Sequence, residues 1–228
     1  MKNWDSKELL KFSTWLWEER QFTYSMLVFH GFCWGLKIGT QLNLKWSDII
    51  YENGKPKSIL KIEDEVDREI SENCQIMNAI YFNYLKPKTN DLIYINRKTN
   101  KIIETSNLSK NLQRFSNEYV IDVYMEDKNE MFYPMKGSTF QLAWVIDMLK
   151  EYNNTRKAFI DIGKFLGKNS IKEMINFVGF EPIEPNDNIE MKFDILERLG
   201  VRVSEYETEY LNGLKLIRTA FQIEFEDK

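Results

Sequence analysis

The sequence predicts a mainly α-helical fold with a small antiparallel β-sheet, an α+β architecture. Apolar residues recur at helical spacing in several segments, beginning with Leu9, Leu10 and Phe12. An Asn53-Gly54 turn signal precedes the alternating segment 57–62, which is typical of a strand in a hairpin. Hydrophobic residues make up 43% of the chain and aromatic residues 14%, which fits a packed core and argues against disorder.

The helices are predicted from periodicity and capping residues. They comprise a helix opening at Asp5-Ser6, a buried helix at 22–36 with a turn at Gly35, and helices at 38–46, 72–85, from Ser106 or Asn107 onward, 140–152, 190–199 and 204–225. The β-structure is predicted as a short meander over 48–71 and a strand at 92–95. Polar segments at 122–130 and 181–188 separate the later elements.

Length and composition exclude several classes of protein. A chain of 228 residues suffices for one large or two small domains. No stretch reaches the roughly 20 apolar residues of a membrane span, and the charged N-terminus lacks the apolar region of a signal peptide. We therefore expect a cytoplasmic protein without a membrane partner. Cys33 and Cys74 lack metal-ligand spacing, and buried thiols are favoured over a disulfide. We expect no cofactor and no metal.

The single histidine, His30, limits the available chemistry. It lies within an apolar run that includes Val28, Phe29 and Phe32, which favours a structural histidine in the core over a catalytic or metal-binding one.

Charge is distributed unevenly along the chain. Residues 1–179 carry 25 basic and 23 acidic side chains, whereas residues 180–228 carry 6 and 12. The one basic region is 86–114, with seven cations against Asp91 and Glu104. This region is either a face that contacts a nucleic-acid backbone or a solvated helix and turn, and the sequence leaves both readings open.

Three segments carry a recognisable pattern. The first runs from Gly35-Leu36-Lys37-Ile38 through Leu42, Leu44 and Trp46 to Asp48-Ile49. It resembles the first catalytic segment of the tyrosine recombinase (phage integrase) family, which reads roughly T-G-L-R and then L-x-L-x-W-x-D-I. In this resemblance Lys37 occupies the position of the first catalytic arginine.

The other two segments extend the resemblance. Around 131–140, the pattern is similar to the family's H-x-L-R box followed by Thr-Phe, with Tyr133 at the histidine position and Lys136 at the second arginine position. Leu166-Gly167-Lys168 is similar to the L-G-H-x-S box, and Phe177, nine residues after Lys168, occupies the position of the nucleophilic tyrosine. Matching Arg68 to the family's hairpin places its catalytic lysine near Glu63.

The resemblance implies a tyrosine-recombinase catalytic-domain-like fold over residues 1–180. An acidic helical extension is expected over 181–228, and the family's N-terminal core-binding domain is expected to be absent. A phenyl ring at position 177 has no oxygen to form a phosphotyrosyl bond. Lysines at positions 37 and 136 keep the positive charge but lose the two-pronged donor geometry of arginine.

The expected function is therefore that of a pseudoenzyme with no catalytic residues. It would act in DNA recombination or integration, within a mobile genetic element, either by weak contact with double-stranded DNA or as an accessory protein. The expected DNA contacts are Lys37, Arg97, Lys98, Lys101, Lys110, Arg114, Lys136 and Lys168. A protein partner would be an active recombinase or a second copy, bound through the C-terminal extension, because the family's segment after the tyrosine docks on a neighbouring protomer.

Two alternatives stand beside this expectation. The net charge of −4, the acidic residues near Glu63 and the acidic C-terminal segment favour an interaction or scaffold module with no nucleic-acid role. An active site-specific recombinase with a rebuilt site is the third reading.

Overall fold

The computed structural model describes residues 3–62, 67–96, 99, 101–124 and 132–183. Within these ranges the chain is mainly helical. The helices are α1 Ser6–Glu18, α2 Phe22–Trp34, α3 Ile38–Leu42, α4 Trp46–Ile49, α5 Glu72–Leu85, α6 Thr105–Tyr124, α7 Gly137–Glu151, α8 Arg156–Phe165 and α9 Ile171–Val178. The strands are β1 Ile59–Leu60, β2 Arg68–Glu69, β3 Ile95–Asn96 and β4 Lys101–Ile102. The predicted helices at 190–199 and 204–225 lie outside the described residues.

Several helix boundaries follow from capping residues. Asp5 accepts a hydrogen bond of 2.8 Å from the Glu8 amide and opens α1 as predicted. Gly35, with φ of 61°, ends α2 in the left-handed conformation that glycine adopts without strain. Ser71 caps α5, whose bounds match the prediction. The prediction that Ser106 or Asn107 caps the next helix is wrong, because α6 begins one residue earlier, at Thr105. The carbonyl of Glu104 already accepts a helical hydrogen bond from the Leu108 amide.

The single helix predicted over 38–46 is two short helices. After α3 the chain extends at Lys45, which forms an antiparallel bridge with Leu92. The Leu44 carbonyl accepts a 2.9 Å bond from the Ile93 amide. Pairing with the later segment therefore replaces the helical hydrogen bonds here. The predicted strand at 92–95 is likewise a bridge at Leu92, and β3 begins only at Ile95.

The predicted class, mainly α-helical with small antiparallel β-structure, is confirmed, and in the described residues this β-structure consists of two two-stranded sheets. β1 pairs with β2, and β3 pairs with β4. The predicted meander over 48–71 is reduced to the β1–β2 pair and one bridge between Ile50 and Pro56.

Two apolar clusters hold the described part together. The larger draws mainly on α1, α2, α4, α5 and α6 and also includes Phe140 and Ala143 of α7, and the smaller is built from the rest of α7 with α8 and α9. Trp144 on α7 is buried and belongs to the smaller cluster, while α7 also packs against α2. Cys33 and Cys74 are buried and form no disulfide, as predicted. Within the described ranges, no helix has both the length and the apolar character needed to span a bilayer.

Candidate nucleic-acid interface

The turn after α2 is held against α7. A Cβ placed on Gly35 would overlap the indole ring of Trp144, so a larger residue does not fit. The Gly35 carbonyl accepts a 2.9 Å hydrogen bond from Nε2 of Gln141. This packing fixes the backbone that leads to Lys37, which is exposed and immediately precedes α3.

Lys136 lies beside this turn. It is exposed and immediately precedes α7, and its amide donates a 3.0 Å bond to Oγ1 of Thr139. A Cβ placed on the next residue, Gly137, would lie 3.0 Å from Cγ2 of Ile38. The residues that follow Lys37 and Lys136 are therefore in contact, and the fold brings together the two positions that the resemblance assigns to the family's arginines.

Tyr133 lies three residues before Lys136 and is 50% exposed. Its carbonyl accepts a 2.9 Å bond from the indole N–H of Trp4, which ties the segment to the larger cluster. The side chain that the resemblance assigns to the family's histidine is thus on the surface, next to the segment that leads into α7.

Lys168 and Phe177 form the second pair. Gly167, with φ of 68°, reverses the chain after α8, and the Lys168 amide bonds to the Gly163 carbonyl at 2.8 Å. Ser170 caps α9, which carries Phe177. The Nζ of Lys168 lies 4.2 Å from the centroid of the Phe177 ring, within the range of a cation–π contact.

A buried arginine ties these segments together. Arg68 on β2 is 2% exposed, and its Nε donates a 3.2 Å bond to the Trp34 carbonyl. Its guanidinium carbon lies 3.8 Å from the centroid of the Phe165 ring, and that ring stacks on Trp144 at 5.5 Å. The Lys37–Lys136 region and the end of α8, which leads to Lys168, are thus connected through Trp144 and Phe165.

The structural role of Arg68 was missed at the level of sequence. A signal existed, because Arg68 and Ile70 alternate with exposed Glu69 and both are buried. Arginine is rarely buried, and Arg68 lies among several acidic residues. The alternation of buried and exposed positions was therefore hard to recognise from the sequence.

The remaining predicted DNA contacts lie elsewhere. Lys101 on β4 and Lys110 on α6 are exposed. Arg114 lies near the start of α2, whereas Lys37 follows its end, and the 13 residues of α2 span about 20 Å. Arg97, Lys98 and Glu63 lie outside the described residues. The residues predicted to contact DNA therefore lie in at least two separate regions, one at each end of α2.

His30 is a buried structural residue, as predicted. Its Nε2 lies 2.8 Å from Oδ1 of Asn78, its Nδ1 lies 2.5 Å from the hydroxyl of Tyr94, and its ring stacks on Trp34 at 4.0 Å. A carbonyl oxygen only accepts, so Nε2 carries the proton and Nδ1 accepts from the tyrosine. Complete burial lowers the pKa of His30 to about 3, so the imidazole is neutral.

The described residues contain no group of three or more histidine, cysteine or acidic side chains positioned to hold a metal ion. Comparison with known protein families, characterised proteins and solved structures found no match to this chain. The recombinase resemblance therefore rests on the three sequence segments.

Proposed function

We propose that this chain is a non-catalytic, recombinase-like protein that binds duplex DNA through its phosphate backbone and acts as an accessory factor in DNA recombination or integration. One observation carries the proposal. The two positions that hold arginines in the recombinase family are neighbours in space, and both hold exposed lysines.

The side chains argue for binding without strand cleavage. Phe177 offers no nucleophilic oxygen, and the ammonium group of Lys168 lies over its ring. Lys37 and Lys136 are point charges that attract phosphate without the paired donors of a guanidinium. Such groups suit contact with a DNA backbone more than the grip on a pentavalent phosphate.

The packing around Gly35 supports a preformed contact. Gly35 packs closely against the indole ring of Trp144, and Ile38 packs against Gly137. The two lysine backbones are therefore held in place before a ligand arrives, which reduces the ordering cost of binding.

Duplex binding at increasing salt tests the proposal. Wild-type protein should bind a nonspecific duplex at low salt and lose affinity steeply as salt rises, because bound cations are released from DNA. The variant Lys37→Ala/Lys136→Ala should bind about tenfold more weakly at low salt and show a slope of log K against log salt that is smaller by about 2.

A matched control comes from the same body. Lys150 lies at the far end of α7 from Lys136, and Lys157 lies in the first turn of α8; both are exposed. Lys150→Ala/Lys157→Ala removes the same charge and should bind like wild type. If both double variants lose affinity equally, the effect is one of net charge and the assigned contacts are wrong. A covalent trapping assay on nicked duplexes should give no phosphotyrosyl adduct, and an adduct would establish an active recombinase.

A second candidate is an interaction module that does not bind nucleic acid. It is favoured by the net charge of −4 and by two exposed apolar side chains on α6, Ile121 at 52% and Val123 at 48%. If the wild-type protein does not bind duplex DNA at low salt, the DNA-binding proposal is wrong and the interaction module is the remaining candidate. Its partner, an active recombinase or a second copy, would be sought by sedimentation of the full chain with and without residues 184–228.

A further inference from the structure

A polar cavity opens at the end of α2 remote from Lys37. Its volume is about 530 Å³, within the range of small-molecule sites. It lies between the start of α2, strand β3 and the middle of α6, and its polar lining includes Arg20, Thr23, Tyr24, Asn96, Asn111 and Arg114. None of the described residues that line it is acidic.

Arg20 forms one side of this cavity under backbone strain. It connects α1 to α2 with φ of 58°, a left-handed conformation that glycine or asparagine adopts more readily. Strained residues persist where their surroundings or their role require them. The Arg20 amide bonds to the Trp17 carbonyl at 2.9 Å and the Gln21 amide to the Leu16 carbonyl at 2.8 Å, so the left-handed residue completes the C-terminal cap of α1 and places Arg20 at the cavity.

Arg114 on α6 also lines the cavity. Its guanidinium carbon lies 4.4 Å from the centroid of the Phe115 ring, and Nη1 lies 3.7 Å from Oε1 of Glu118. Both side chains of this ion pair are about half exposed, so water screens the attraction. A doubly charged anion in the cavity would compete successfully with such a carboxylate.

Tyr24 adds a neutral donor. Its hydroxyl accepts a 2.6 Å bond from Nδ2 of Asn111, which leaves its own proton available to a further acceptor. Burial raises the pKa of Tyr24, which keeps the phenol protonated. Two guanidinium groups and a phenol thus border one cavity without a lining carboxylate.

We propose that this cavity is a separate binding site for a phosphate ester of nucleotide size. Guanidinium groups match phosphate oxygens with paired N–H donors, and Tyr24 can donate to a third oxygen. The inference does not rest on the proposed duplex binding, since α2 separates the cavity from Lys37 by about 20 Å. The ester would belong either to a free nucleotide or to the phosphodiester of a single strand.

Calorimetric titration of the full chain with inorganic phosphate, AMP and a short single-stranded oligonucleotide tests the site. AMP binding more tightly than phosphate identifies a free nucleotide, and oligonucleotide binding alone identifies the strand. If none of the three binds, or if phosphate binds as tightly as AMP, the proposal is wrong.

Arg20→Gly is the decisive variant, because it removes the guanidinium while relieving the backbone strain, and the fold should persist. It should weaken the tightest of the three ligands at least tenfold, as should Arg114→Gln. Glu118→Gln should strengthen binding about two- to fivefold by removing the competing carboxylate. Arg156→Gln on α8 serves as the arginine control, and Lys37→Ala/Lys136→Ala should retain binding. Wild-type affinity in Arg20→Gly, or equal loss in the lysine variant, would overturn a separate site.

Discussion

The Nζ of Lys168 lies 4.2 Å from the ring centroid of Phe177, on the face of the ring. The two residues are nine positions apart and meet because Gly167 turns the chain after α8 and Ser170 starts α9. The recombinase resemblance assigns these positions to a histidine and the nucleophilic tyrosine. Here an ammonium and a phenyl ring instead make a contact whose main consequence is local stability.

The Lys168–Phe177 contact should be measurable as a coupling energy. Lys168→Gln and Phe177→Leu, alone and combined, should show a coupling of about 0.5–1 kcal/mol in the free energy of unfolding. The reason is that the first variant removes the charge and the second removes the ring, so either one alone abolishes the contact. Urea titration gives the four values. Lys172→Gln on the exposed face of α9 is the control, and its coupling with Phe177→Leu should be close to zero.

Gly35 and Gly167 both have left-handed backbone conformations, and comparing them distinguishes the cost of backbone strain from the cost of steric overlap. Gly35 and Gly167 have φ of 61° and 68°, but only at Gly35 would a Cβ meet Trp144, whereas nothing lies within 4 Å at Gly167. Gly167→Ala should cost about 1–2 kcal/mol from the backbone alone. Gly35→Ala should cost about 2–4 kcal/mol, because the indole must also move. Equal losses in chemical denaturation would show that the turn is not packed as described.

His30 should make the folded state less stable in mild acid. Its pKa is about 3 in the folded chain, below the usual 6.5, so the unfolded chain binds a proton more readily than the folded chain does. Its contribution is fully present above pH 6.5. As the pH falls from 6.5 toward 3, the unfolded chain binds a proton that the folded chain does not, and stability falls by about 1.4 kcal/mol per pH unit.

This titration can be observed directly because the chain has one histidine. The imidazole carbon-bound proton should keep its neutral chemical shift from pH 7.5 to pH 5 in NMR spectra of the folded protein. A midpoint near 6.5 would contradict the buried placement. His30→Gln should lower stability at neutral pH and flatten its dependence on pH between 6.5 and 5.

Glu8 joins α1 to the end of α6 through two tyrosines. Oε1 of this 3% exposed carboxylate accepts 2.6 Å bonds from the hydroxyls of Tyr119 and Tyr124. Burial, reinforced by Glu8, raises the pKa of Tyr119. Tyr119→Phe should therefore cost about 1.5–3 kcal/mol, typical of a hydrogen bond to a charged group. Tyr51→Phe, at a 52% exposed position, should change thermal stability by less than about 0.5 kcal/mol.

Local signals predicted much of the helical structure. Asp5, Ser71 and Gly35 mark boundaries that the structure keeps, because a cap is decided by residues within one turn. The break between α3 and α4 could not be predicted in this way. It depends on hydrogen bonds to residues 92 and 93, about 50 positions later in the chain.

The candidate sites divide along the same line. The motif spacing predicted that Lys37, Lys136, Lys168 and Phe177 belong to one site, but it did not predict which of these residues are in contact. The cavity between Arg20 and Arg114 had no sequence signal, because one residue lies in a turn and the other on α6, 94 positions later. The buried role of Arg68 likewise needed Trp34 and Phe165 from distant elements.

The sequence by itself determined the helical class, the buried histidine and thiols, and the presence at Phe177 of a ring that carries no oxygen. These depend on residue identity and short-range periodicity. Only the tertiary structure decided that the predicted DNA contacts occupy different ends of α2, that β-structure closes into two separate hairpins, and that an arginine pair borders a cavity. Those features arise from contacts between segments far apart in the chain, which no local pattern encodes.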